Sequence, residues 1–158
     1  MRAVLTLVAC GFGLGCGGSP AAGPDAAPPV TYNCAADTRG ETYVSGLEAM
    51  GKSSVFDVKL MAMDPEPPSR GNNTWNVEID DATTGQPLPG LGSGMTVTPF
   101  MPDHQHGSPI KVDIADDGSG QYTLTPLNLW MPGVWTVTIA ASDGSAFDKA
   151  VYTFCLPE

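Results

Sequence analysis

Val134-Trp135-Thr136-Val137-Thr138-Ile139 alternates large apolar side chains with threonines. A period of two on β-branched and aromatic residues is the pattern of a strand with one face in a core and the other in water. The same alternation recurs on both sides of this stretch: Phe56–Ala62, Trp75–Asp80, Met95–Phe100, Ile110–Ile114, Gln121–Leu124 and Ala150–Phe154. Seven short strands are therefore expected. The separators carry turn chemistry: Pro65–Asn72, then Asp81–Gly90, then the hairpin tips Asp116-Asp117-Gly118-Ser119-Gly120 and Ser142-Asp143-Gly144-Ser145. Regular strands divided by Gly/Pro turns predict an all-β fold, an immunoglobulin-like antiparallel β-sandwich, with a small barrel as the alternative. The one segment that reads as a helical turn is Thr42–Met50. Trp75, Trp130, Trp135, Phe56, Phe100, Phe147 and Phe154 are the expected large core residues.

Upstream of the strands the composition changes. Met1-Arg2 supplies one positive charge, and Ala3 to Gly15 is uncharged and apolar or small. That is the plan of a signal peptide, shorter than the ~20 apolar residues a membrane-spanning helix needs. A cysteine after small residues, followed by Gly17-Gly18-Ser19-Pro20, reads as the acylated residue of a bacterial-type lipoprotein. Two cysteines compete. Leu7-Val8-Ala9-Cys10 is the closer local match, but it leaves too short an apolar region before it, so Cys16 is the expected lipidation site. Residues 1–15 are then the signal peptide. Residues 16–29, rich in Gly, Ser, Pro and Ala, have nothing large to bury and form a tether. Residues 30–158 are the domain. The expected location is the cell envelope, with the protein held to a membrane by its lipid and facing the periplasm or exterior.

Seven basic residues face seventeen acidic ones, a net charge of −10. Such a chain lacks the Lys/Arg footprint that phosphate binding requires, which excludes nucleic acid as a partner. The same balance leaves attachment at a membrane to a lipid chain rather than to charge. Within the domain only Cys34 and Cys155 remain. In an oxidising compartment they are expected to pair. The bond would close a loop of about 120 residues, for which loop-closure entropy gives about 4–5 kcal/mol.

The two histidines lie together in Met101-Pro102-Asp103-His104-Gln105-His106-Gly107, and a second Met-Pro follows at Met131-Pro132. Thioether and imidazole donors are soft, and as a set they suit copper, Cu(I) above all, over Mg²⁺ or Ca²⁺. Met101, His104, His106 and Met131 are thus the candidate metal ligands. Asp103 could orient a histidine. The competing reading is a rigid turn in a structural or protein-interaction module without metal. Asp113, Asp116 and Asp117 resemble a calcium loop only loosely and read as a solvated hairpin tip. The chain has no Gly-x-Ser-x-Gly elbow, and Gly90-Leu91-Gly92-Ser93-Gly94 has no following lysine or helix for a phosphate loop. A non-enzymatic role is expected.

These segments, taken in order, resemble the YtkA-like family, related to FixH-type proteins, over roughly Val55 to Phe154. The carriers are Pro67-Pro68 through Gly71-Asn72-Asn73-Thr74-Trp75, Asp81-Ala82 with Gly85-Gln86-Pro87, Met101 through Gly107, Gly120-Gln121-Tyr122, and Met131-Pro132-Gly133-Val134-Trp135-Thr136-Val137. The resemblance implies an exported immunoglobulin-like sandwich, often anchored, without established catalysis. It also implies a link to copper handling, because FixH-type proteins accompany the assembly of copper-containing terminal oxidases. Met101, Pro102, His104, His106 and Gly107 carry across residue by residue. The Cys34/Cys155 pair departs from the family pattern, as does the lack of an evident transmembrane anchor. An envelope protein is a possible partner on this reading.

Overall fold

In a computed structural model, residues 32–158 are described. The lipidation site Cys16, the competing Cys10, the signal peptide and the tether lie outside them. The described residues contain nine strands: β1 (Leu47–Met50), β2 (Phe56–Asp64), β3 (Gly71–Asp81), β4 (Thr96–Met101), β5 (His106–Gly107), β6 (Asp113–Asp116), β7 (Gln121–Leu129), β8 (Gly133–Ser142) and β9 (Phe147–Leu156). One sheet has the order β1-β2-β3-β7-β6, the other β5-β4-β8-β9, and every pairing is antiparallel. The fold is an all-β sandwich.

Alternation decides which faces meet. Trp75, Val77 and Ile79 of β3 and Val58 and Leu60 of β2 point inward against Trp135, Val137 and Ile139 of β8 and Tyr152 and Phe154 of β9, all buried. Trp75 meets Tyr152 and Phe154 edge-on, with ring centroids 6.1 and 5.6 Å away, the geometry its quadrupole favours. The Tyr152 hydroxyl crosses to the other sheet and donates to the Val58 carbonyl at 2.6 Å.

Strand ends differ from the sequence expectation for local reasons. Thr42–Met50 is not a helical turn. Its second half is β1, because Leu47 and Ala49 pack against the core while Glu48 and Met50 face out, and Leu47 pairs with Leu60. Expected strand Ile110–Ile114 begins late, at Asp113. Ile110 sits in a turn in which its N–H meets the Ser108 hydroxyl at 3.2 Å, and its side chain is exposed. Strand β7 runs past Leu124 to Leu129. The register against β3 slips between Asn73 and Trp75, so one extra residue of β7 bulges out around Thr125-Pro126, and a bulge is where a sheet tolerates proline. Met95–Phe100 shifts by one residue to Thr96–Met101. Two expected core residues, Trp130 and Phe147, are instead exposed.

Two clamps outside the ladders hold the sandwich. Cys34 and Cys155 form a disulfide across 121 residues, tying the segment before β1 to β9. The same segment adds Glu41, whose N–H donates to the Thr153 carbonyl at 2.7 Å while its carboxylate accepts from the Thr153 N–H at 2.6 Å. The second clamp is Asp148, which is buried and accepts backbone N–H groups from Ser53, Val55, Phe56 and Lys149. A side chain at Gly51 would put its Cβ 2.1 Å from the Asp148 carboxylate, so only glycine fits there. Burial alone pushes the Asp148 carboxyl up, but the N–H groups outweigh it and hold the acid below its ordinary value.

Reduction of the disulfide, or Cys34→Ser, is expected to lower stability by up to about 4–5 kcal/mol; an unchanged melting temperature contradicts this. Asp148→Ala leaves four donors without their acceptor and should cost about 2–4 kcal/mol. Because the native acid is depressed, unfolding takes up a proton it lacks, so Asp148 stabilises above the ordinary carboxylate range and ceases to as pH falls through its folded value. Asp148→Asn should therefore flatten the acid limb of a stability-against-pH curve.

Candidate metal site

The histidine loop is the tip of the β4–β5 hairpin. Met101 pairs with His106 and Phe100 with Gly107. The Met101 carbonyl accepts from the N–H groups of His104 at 3.3 Å and Gln105 at 2.9 Å, and the Gln105 side-chain amide donates to the Pro102 carbonyl. Gln105 reaches φ 56° to close this turn, a left-handed conformation that costs a non-glycine residue some strain. Gly107 lies against the β4 backbone, where a Cβ would be 2.9 Å from the Pro99 carbonyl oxygen.

Cross-strand partners project to the same face, with Cβ atoms about 4.5–5.5 Å apart. Met101 and His106 therefore share the inward face at one end of the sandwich. Met101 is fully buried; His106 is half-buried and His104 exposed. The His104 and His106 ring centroids are 5.8 Å apart. Two imidazoles on one ion place their centroids about 5–6.4 Å apart, given metal–nitrogen bonds near ~2.0 Å and bond angles from tetrahedral to linear. The His106 Nδ1 lies 3.3 Å from the Gly107 carbonyl. A proton on that nitrogen leaves Nε2 with its lone pair free. Among the described residues, the His104 ring has no hydrogen-bond partner.

Aromatic rings wall this end of the sandwich. His106 stacks on Trp130 at 5.6 Å and 23° and meets Trp135 edge-on at 6.4 Å. Met131 stands half-buried on the β7–β8 turn, and its carbonyl accepts the Trp135 indole N–H at 2.9 Å. Gly133 follows, at φ 124°, with the Met101 methyl and the Tyr32 ring each 2.9 Å from where a Cβ would sit. All four sequence candidates thus gather around one end of the fold: Met101 inside, His106 beside it, His104 at the rim, Met131 on the adjoining turn.

Asp103 has a different task from orienting an imidazole. Its oxygens accept from Arg39 at 2.7 and 2.7 Å and from the Tyr32 hydroxyl at 2.6 Å. Arg39 also holds Asp37 at 2.6 Å. The Arg39 and Tyr32 hydrogen bonds keep the Asp103 carboxyl well below the usual carboxylate range. Asp103 in turn pushes up the Tyr32 hydroxyl and Arg39. Residues Tyr32–Arg39 form a strap tied down by Asp103 and the disulfide. Neither Tyr32 nor Arg39 was recognisable from sequence, since their partner lies more than 60 residues away.

No group of three or more His, Cys, Asp or Glu able to hold a metal occurs among the described residues. Asp116 and Asp117 accept backbone N–H groups of their own hairpin tip. A groove of about 840 Å³ lies elsewhere, lined in part by Tyr43, Pro67, Pro68, Arg70 and Phe154, with neither histidine in it.

The YtkA-like family model matches residues 52–140, from the loop before β2 into β8. The match includes Met101, His104, His106 and Met131 and leaves out both cysteines of the disulfide. No curated protein and no solved structure matches the chain.

Asp103→Asn should loosen the strap. Amide hydrogen exchange at residues 35–41 is expected to rise several-fold while β8 keeps its protection; unchanged exchange would refute the clamp. Since Asp103 is depressed, wild-type strap protection should persist at pH 4, where an ordinary aspartate is about half protonated, and fail only at more acid pH.

Proposed function

The chain belongs to the YtkA-like family, and from that premise we propose that it is an envelope-anchored, non-catalytic β-sandwich lipoprotein that binds copper through its Met/His end. The observation that carries this reading is the pairing of Met101 with His106 on one inward face, with the second imidazole 5.8 Å away. Two neutral imidazoles and one or two thioethers form a soft set with no carboxylate in it, which favours Cu(I) over hard cations. Met131, on the neighbouring turn, is the fourth candidate. Anchoring rests on the sequence: Cys16 carries the lipid, and the Gly/Pro/Ala tether spaces the domain from the membrane. Storage, delivery to an envelope partner, or protection of the compartment from free copper would each use such a site.

The turn closed by the Met101 carbonyl on the His104 and Gln105 N–H groups favours a second reading, a rigid turn in an interaction module without metal. Titration separates the two. Wild type should compete with a chromophoric chelator for one Cu(I) per chain, and His104→Ala/His106→Ala should weaken binding by at least about a hundredfold, the combined loss of two ligand bonds. Equal affinity in both proteins would eliminate the copper reading and leave the interaction module.

A further inference from the structure

We infer that Trp130 is a specificity-determining part of this metal site, capping a bound monovalent ion with its indole face and so selecting Cu(I) over Cu(II). The inference rests on the copper reading above. Trp75 and Trp135 are fully buried, whereas Trp130 is 48 % exposed and gives the core little. It adjoins Met131 in sequence and stacks on His106 in space. Stacked planes lie about 3.5 Å apart, so centroids at 5.6 Å are offset sideways by about 4.4 Å. An ion bound in the imidazole plane lies about 3.2 Å from that ring's centroid. An ion held on the side of the imidazole that faces Trp130 would lie over the indole face and inside the ~6 Å range of a cation–π contact.

Ligand type and coordination geometry give the selectivity. The candidate ligands are neutral, and the one carboxylate in the loop, Asp103, is bound by Arg39 and Tyr32. The ligand set therefore adds no anion, and the negative face of the indole attracts the bound ion. Cu(II) seeks tetragonal nitrogen and oxygen ligands, including water. An indole covering one side of the ion removes that approach, while Cu(I) is content with few, soft ligands.

The test compares wild type, Trp130→Phe and Trp130→Leu in the full chain, with Cu(I), Cu(II) and Ag(I) as separate probes. Trp130→Leu should lose about tenfold in Cu(I) affinity, with Trp130→Phe retaining most of it, as the desolvated cation–π range implies. Cu(II) affinity should not fall with it. Ag(I) should quench tryptophan emission in wild type, and most of that quench should vanish in Trp130→Phe. Wild-type Cu(I) affinity in Trp130→Leu overturns the inference. If the double histidine variant weakens binding while Trp130→Leu does not, the copper reading stands and this inference alone fails. If wild type binds neither Cu(I) nor Ag(I), both fail.

Discussion

The apolar layer between the two sheets is the constraint on which the rest depends. Alternating residues of β2, β3 and β7 can leave water only by meeting those of β8 and β9. Trp75 and Trp135, each fully buried, anchor the layer from opposite sheets. It has an end, and chemistry collects there. Past Trp135 the inward positions pass to Met101 and then to His106 and Met131. The Met101 and Met131 thioethers continue the apolar layer toward solvent with little desolvation penalty when no metal is bound, and the imidazoles stand where that layer meets water. The candidate ligands are an extension of the core rather than an insertion into it.

A second constraint comes from outside the sheets. The strap of residues 32–39 joins β9 through the disulfide and joins the histidine loop through Asp103. Tyr32 packs at Gly133 beside the Met101 methyl. The strap thus covers the thioether while leaving His104 open to solvent. Its charged contacts occupy the oxygens of the loop's only carboxylate with Arg39 and Tyr32. The disulfide and the strap lie outside the region matched by the family model.

Much of the fold was legible because period two is a direct record of burial. The stretches Val134–Ile139 and Trp75–Asp80 needed no partner to be read as strands. The cysteine pair was legible from the lack of any other partner within the domain. Elements that exist only through pairing were not legible. β1 looked like a helical turn until Leu47 met Leu60, and β5 is two residues long, formed by His106 and Gly107 lying against β4. Pro126 hid the second half of β7, since proline reads as a break unless a bulge is known. The site was visible as donor types and spacing. What one sequence could not supply was the third dimension: Met101 facing inward, Trp130 outward onto His106, and Asp103 committed to Arg39. Each of these depends on a contact with a remote segment.

The central claim is that soft donors at one end of this sandwich converge on one ion. Methyl-¹³C methionine labelling, read by NMR during an Ag(I) titration, tests it most directly because it reports which thioethers the ion touches. The account predicts that the Met101 and Met131 methyls shift together and saturate at one ion per chain, with Met61, Met63 and Met95 unmoved. Shifts confined to exposed Met50, or no shift in any methionine, would contradict it.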